Sequence, residues 1–366
     1  MMKKYKFIHI IWANEFKFSR PLIELFNKYK DVLHSEEHLF VTMHKKVYQE
    51  LGKNENFILD DSNCNLFNKY APMADYIISH DFPGKKIVFG TKRKYQKKIV
   101  YRYWGGRRYL RKKEKGHLLH NIYSSLYNTL YKLMFRYIYD NLALIGIANI
   151  VDEIDLAGLI RKTPMMRMPY PNSDAYEIIQ TALKNQERNE SKLRVVIGHR
   201  SEPIENHIRY IELLSKFPVD KIEMYLPLSY GNKEYAEKVC EYVKEKDLKN
   251  VITILDFMNF RDYVEFLSNM DIAIIDCDNS LALGNVSLNL SLNNTIYLSR
   301  NGVIKKAFDK ERIPCRCVEE IANMSFEEFS SLINARCFNG ASLKRQPMDY
   351  YVNLWKEVLD YLKSIH

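Results

Sequence analysis

Between residues 192 and 299, short apolar runs alternate with amphipathic ones, and this alternation narrows the possible folds more than any other feature of the chain. The runs at 192–198, 221–227, 251–255, 271–276 and 295–299 have strand length and apolar character, most of them rich in valine and isoleucine. Those at 205–217, 233–246, 259–269 and 284–292 carry apolar residues at helical spacing. A helix of ten or so residues between two strands returns the chain to the end where the first strand began, so the strands lie parallel and the helices cover both faces of the sheet. The first half repeats the pattern less clearly. Strands are expected at 5–12, 39–43, 74–79, 98–104 and 142–148, and helices at 20–29 and 118–140. Pro164, Pro169 and Pro171 punctuate the segment after 148, and proline disfavours helix in itself and in its predecessor. The expected organisation is one domain over 1–168, a second over 169–346, and a helix over 347–366. That helix, with Tyr351, Leu354, Val358 and Leu362 on one face, packs back towards the first domain.

Charge is split unevenly between these halves. The 366 residues carry a net +10, but residues 1–170 hold 30 Lys and Arg against 16 Asp and Glu (+14), and the remainder holds 25 against 29 (−4). Between Lys85 and Lys115 there are 14 basic residues and a single acid, Glu114. Such a segment needs an anionic partner: nucleic acid, phospholipid headgroups or a polyphosphate substrate. The interleaved aromatics and arginines of 101–109 suit single-stranded nucleic acid or a lipid headgroup and diphosphate. No RRM, KH, zinc-finger or helix-turn-helix pattern accompanies them, and nucleic acid is not the expected partner. Tyr123, Tyr127, Tyr131 and Phe135 follow at four-residue spacing, a stripe that either joins the core or dips into a membrane interface. The longest uncharged apolar stretch, near 142–151, is roughly ten residues, about half a bilayer crossing. The N-terminus reads as a first strand and not as a signal peptide. Six scattered cysteines, with no CxxC and no zinc spacing, indicate free thiols in a reducing compartment.

Two doubly wound α/β domains joined by a proline-rich crossover and followed by a helix resemble the GT-B glycosyltransferase plan, in which two Rossmann-like domains face each other across a cleft. Ligands of open α/β sheets bind beyond the carboxyl ends of the strands, so the loops there are the candidates. Gly198-His199-Arg200-Ser201 lies between a strand and a helix. Glycine admits a phosphate close to the backbone, a helix start favours anions, and Arg200 adds a forked donor. His207 in the next helix, Pro227 and Tyr230 in the next loop, Tyr235, and Phe257 after the third strand complete one side of a donor site. Gly284, Asn285 and Ser287 open a second helix and are expected on the pyrophosphate or ribose. Asp276-Cys277-Asp278 is a D-x-D tripeptide, but no metal is expected there, and no cofactor. No acid occurs from Asn285 to Thr295, which favours inverting, direct displacement over a retaining mechanism. Direct displacement needs a general base from the first domain. Glu15 leads, with His9, His80 and Asp81 behind it. Asn14, Arg102, Trp104, Gly105 and Arg107 are the expected acceptor-binding residues.

Val195-Val196-Ile197-Gly198, Glu205-Asn206-His207, Pro227 with Tyr230, 232–235, 260–263, Asp271 and Gly284 resemble the TDP-N-acetylfucosamine:lipid II N-acetylfucosaminyltransferases, glycosyltransferase family 56. So do His9, Arg20, His80 and Trp104-Gly105 with Tyr109 in the first half. The resemblance implies an inverting, metal-independent transferase of the hexosyltransferase class. It would move a 6-deoxy acetamido sugar from a TDP-linked donor to an undecaprenyl-diphosphate-linked saccharide in bacterial surface-polysaccharide synthesis. It also implies a peripheral protein on the cytoplasmic face of the inner membrane, with an anionic membrane surface as partner. The chain departs from that family at Asn14, where the family has aspartate, at Arg107, where it has an acid, and at His199-Arg200, where it has Asn-Ser. Two other readings are a UDP-sugar-dependent GT-B transferase of capsule or lipopolysaccharide assembly, and a nucleic-acid-binding protein using 85–115.

Overall fold

The computed structural model describes residues 4–12, 16–51, 56–62, 64–80, 90–104, 118–171, 173–186, 191–278, 280, 282–333 and 342–365. The chain divides into two compact units, Met1–Ser173 with Pro347–His366, and Asp174–Gln346.

The first unit holds a seven-stranded sheet of β1 (Tyr5–Ile11), β2 (His38–Thr42), β3 (Phe57–Leu59), β4 (Ala74–His80), β5 (Ile99–Arg102), β6 (Leu144–Ile147) and β7 (Met165–Arg167). Their order is β3-β2-β1-β4-β5-β6-β7 and every neighbouring pair is parallel. Side chains of a strand alternate between faces. Phe7 and Ile11 of β1 therefore join one core, while Ile8 and Ile10 join the other. The edge strands β3 and β7 were not expected from the sequence. Each is three residues long, and β7 lies inside the proline-punctuated crossover, where an edge position tolerates the prolines around it. The first helix runs Phe16–Lys28 with Pro21 inside it, four residues earlier than expected. The helix Leu118–Tyr139 turns Tyr131, Phe135, Ile138 and Tyr139 onto Tyr101, Tyr103 and Ile145, so the inner half of the aromatic stripe is core; Tyr123 stays exposed.

The C-terminal helix Met348–Ser364 closes one face of this sheet. It buries Tyr351, Val352, Trp355, Val358, Leu359 and Leu362, and Lys363 in its last turn meets Glu37 at 2.7 Å. Trp355 is fully buried, its ring lies edge-on to Phe26 at 5.5 Å, and its indole N–H donates to the Pro169 carbonyl at 3.0 Å. Trp355→Ala should lower the stability of this unit by about 3–5 kcal/mol, read as a fall in the urea midpoint.

The second unit holds β8 (Leu193–Ile197), β9 (Ile222–Pro227), β10 (Val251–Ile254), β11 (Ile272–Ile275), β12 (Thr295–Leu298) and β13 (Arg316–Cys317), in the order β10-β9-β8-β11-β12-β13, all parallel. The strand order reverses at β1, between β2 and β4, and at β8, between β9 and β11. At such switch points the two adjoining loops leave in opposite directions and open a crevice, so topology alone marks the ends of β1 and β4, and of β8 and β11, as binding positions.

Candidate functional site

In the second unit the switch point is built from Gly198–Asn206 after β8 and the loop after β11. Gly198 has φ +69°, and a Cβ there would lie 2.7 Å from His207 Nε2 and 3.0 Å from Glu205 Oε2. The glycine is thus demanded by the protein's own buried side chains, whatever else approaches it. The expected helix over 205–217 is replaced by a 3₁₀ turn, Pro203–Glu205, a left-handed Asn206 (φ 54°) and the helix His207–Leu214. The kink turns Glu205 inward. Its carboxylate is buried, with Oε1 3.0 Å from His199 Nδ1 and 3.6 Å from Arg200 Nε. His199 and Arg200 therefore lean on an internal acid; Arg200 remains partly exposed and His199 does not. Burial pulls the His207 imidazole down to about 4, with Glu205 opposing, so His207 is neutral at physiological pH. Its backbone N–H donates to the Tyr235 hydroxyl at 3.2 Å, and the two rings lie 5.7 Å apart, so Tyr235 supports His207 from within.

Ser201 closes the loop against the next one. Its N–H and hydroxyl both donate to the Tyr230 carbonyl at 2.9 Å, and the Asn232 N–H donates to the Ser201 carbonyl at 2.7 Å. Ser201 is buried and acts as a strut. Pro227 is buried at the end of β9, whereas Tyr230 is half exposed and Phe257, after β10, is 79% exposed. Both present exposed aromatic rings at this end of the sheet.

Across the switch point Asn206 Nδ2 donates to Asp276 Oδ2 at 2.9 Å, tying the two loops together. Asp276 also faces Arg209 at 3.8 Å, and Asp278 accepts from the Ser299 hydroxyl at 2.5 Å. Both carboxylates of the D-x-D tripeptide are engaged by protein donors. The following helix, Leu283–Ser291, carries Gly284 exposed in its first turn, and apart from the helix's own backbone no atom among the described residues lies within 4 Å of a would-be Cβ. Asn285 accepts from the hydroxyl of Tyr263 at 2.8 Å. Ser287 was expected to reach a ligand but is buried, one turn along on the packed side. Gly284→Ala offers a clean discrimination. Alanine in a helix should stabilise by up to about 1 kcal/mol, whereas a diphosphate seated against this backbone would lose at least about threefold in affinity; thermal melts and nucleotide titration read the two effects separately.

In the first unit, three adjacent strands each contribute a histidine to one face. Register places His38 of β2 opposite Phe7 and His80 of β4 opposite Ile11, with His9 between them. His9 Nε2 lies 2.8 Å from His38 Nδ1, His9 Nδ1 lies 2.9 Å from His80 Nε2, and His80 Nδ1 lies 2.6 Å from the Tyr170 hydroxyl. Burial holds His38 and His80 down to about 3, and His9, flanked by both, well below its ordinary value. All three rings are neutral near pH 7. A neutral imidazole has one N–H, so such a row donates in one direction throughout. The Tyr170 hydroxyl at the open end of the row is a better donor than acceptor, which sets it as the donor to His80 Nδ1. On that assignment His9 donates to His38, His80 to His9, and Tyr170 to His80. His9 is fully enclosed, which leaves it no surface for an acceptor hydroxyl, and His80 is nearly so, its outer nitrogen taken by Tyr170.

Arg102, at the end of β5, is buried as well. Its Nε donates to the Met168 carbonyl at 2.6 Å and its NH1 to the Tyr103 carbonyl, with Asp152 at 3.8 Å and the Tyr170 ring below the guanidinium at 5.0 Å. Trp104 stacks at a tilt on Tyr170, ring centroids 5.1 Å apart. Tyr170, His38 and Glu205 belong to these clusters and were missed as site residues. A sequence signal existed for Glu205, which stands in the Glu205-Asn206-His207 run a few residues after the phosphate-type loop. Glu15, Asn14, Asp81, Gly105 and Arg107 lie outside the described residues.

Two parallel doubly wound units in one chain define a GT-B glycosyltransferase fold. The chain shares it with a glycosyltransferase from Rickettsia africae (TM-score 0.60, 11% identity, 99% of this chain and 98% of that one) and with Anabaena Alr3699/HepE solved with UDP (0.59, 10%, 98% and 100%). An α,α-trehalose 6-phosphate synthase from Burkholderia multivorans has it too (0.52, 9%, 99% and 99%). Residues 87–333 match the family described as 4-alpha-L-fucosyltransferase glycosyl transferase group 56, and the chain belongs to that family. No curated protein sequence matches it significantly.

Proposed function

We propose that the protein transfers a 6-deoxy acetamido hexose from a TDP-linked donor to a lipid-diphosphate-linked saccharide, with inversion at the anomeric carbon, on the cytoplasmic face of a bacterial inner membrane. In this reaction an acceptor hydroxyl oxygen attacks the anomeric carbon, the bond to the β-phosphate oxygen breaks, and TDP leaves with the electron pair. The second unit supplies what a leaving diphosphate needs: the helix starts at His207 and Leu283, either side of one switch point, and Arg200 beside Gly198. Their charge takes the place of a resident metal ion. Tyr230 and Phe257 present the faces on which a base stacks. Glu15 serves as the general base; the low proton affinity of His80 and the enclosure of His9 support that choice. The acid-free run from Asn285 to Thr295 supports inversion, and the +14 charge of residues 1–170 supports an acceptor carrying a diphosphate on an anionic surface.

The observation that carries the reading is the β8/β11 switch point, where Gly284 stands open to approach and Asn206 joins both loops. Competition between TDP and UDP in a transfer assay with an undecaprenyl-diphosphate-linked saccharide tests it. Preference for TDP with an inverted product linkage by NMR supports the proposal. Preference for UDP moves the protein to the capsule or lipopolysaccharide type of transferase, and indifference to both nucleotides removes the donor site.

A further inference from the structure

The helix Leu118–Tyr139 has two apolar faces, and the first unit uses one of them. At 100° per residue the buried Tyr131, Phe135 and Ile138 fall within one arc, while Leu119, Ile122, Leu126, Leu130, Leu133 and Tyr137 fall within an arc of about 80° on the opposite side. All six are more than half exposed, Leu119 to 82% and Leu126 and Leu130 to 59% each. The stripe runs from Leu119 to Tyr137, 19 residues and about 27 Å of helix. Scattered exposed leucines are ordinary, but an unbroken row of this length is not. The helix contains no Asp or Glu, and its two basic residues, Lys132 and Arg136, lie on the flank between the row and the buried face. No helix among the described residues is long and apolar enough to cross a membrane.

Charge decides which partner covers this face. In sequence the helix comes directly after the segment with 14 basic residues and one acid. Two copies docked through the row would each carry such a segment, with nothing acidic on either helix to offset the added positive charge. An anionic bilayer surface attracts the basic segment and accepts the leucines at its acyl boundary.

We propose that the protein binds anionic membrane through the outer face of Leu118–Tyr139, which lies in the interface plane with Leu126 and Leu130 at its centre, and that the basic charge carried by 85–115 in the sequence adds to its affinity for anionic lipid. The inference rests on the lipid-acceptor reading only for its biological setting; the face and the charge stand without it. The face is also the reverse of the aromatic stripe that the sequence singles out.

The test uses the full chain and vesicles of phosphatidylcholine with and without phosphatidylglycerol, in flotation without nucleotide sugar. The wild type should float with the anionic vesicles and not with the neutral ones, and the double variant L126S/L130S should lose at least about tenfold in affinity while keeping the wild-type melting temperature. L130W should be quenched by brominated lipid. Equal flotation of the double variant, an unquenched L130W, or a wild-type dimer that the double variant disrupts would each overturn the proposal. Transfer to a lipid acceptor without vesicle binding through this face sinks the inference alone. Vesicle binding through it without any transfer sinks the transferase reading alone.

Discussion

Gly198→Ala should destabilise the second unit by about 2–4 kcal/mol and weaken nucleotide binding by at least about tenfold. The left-handed conformation at φ +69° costs a residue with a side chain about 1–2 kcal/mol. The added methyl group meets His207 Nε2 at 2.7 Å and Glu205 Oε2 at 3.0 Å. Neither neighbour yields easily: both are buried, His207 is bound to Tyr235, and Glu205 faces His199 and Arg200. Relief of the clash therefore moves the turn, and with it Arg200 and Asn206, which connects to Asp276. Stability and donor affinity should fall together at Gly198 and separate at Gly284. Equal melting temperatures for Gly198→Ala and wild type would show that the buried cluster is not packed as described.

The histidine row makes the first unit acid-sensitive, and breaking it should cost that unit as much stability as the loss of Trp355. His9→Ala at pH 7.5 removes a fully buried ring and strands His38 Nδ1 and His80 Nε2, a loss of about 3–5 kcal/mol from the cavity and the unpaired nitrogens. In the wild type the sign of the pH dependence comes from the depressed values. His38 and His80 titrate near 3 when folded and near 6.5 when unfolded, so below 6.5 the unfolded chain binds protons that the folded chain does not. Stability is complete above pH 6.5 and declines as pH falls towards 3. By pH 4.5 each of these rings contributes a loss on the order of 3 kcal/mol, comparable together with the 5–15 kcal/mol margin of ordinary domains. Urea midpoints between pH 7.5 and 4.5, with hydrogen exchange to locate the opening, should show β1, β2 and β4 losing protection as pH drops. A flat profile down to pH 5 would contradict the neutral-row assignment.

Much of the second unit is legible in the sequence because its strands are short, apolar and separated by clear helices. Val195–Ile197 running into Gly198, and Ile272–Ile275 running into Asp276, mark the switch-point loops from the chain alone. The histidine row is not legible, because it depends on β2 and β4 both flanking β1 and on a register that brings positions 29 and 71 residues away from His9 to its two nitrogens. Periodicity within a segment says nothing about which segments become neighbours. Gly198 is legible as a special position, but the sequence suggests a phosphate as its cause, whereas the nearest constraint is internal. At Leu118–Tyr139 the period is plain and the orientation is not. Both faces are apolar, and the fit of Tyr131 and Phe135 against Tyr101 and Tyr103 decides which one turns inward.

In the proposed reaction the second unit holds the nucleotide at the ends of β8 and β11. Hydrogen exchange of the full chain with and without TDP tests it most directly. Exchange should slow several-fold in peptides covering 196–206 and 282–288 and change little along β1 and β4. Protection confined to the first unit, or none at either loop at saturating nucleotide, would contradict it.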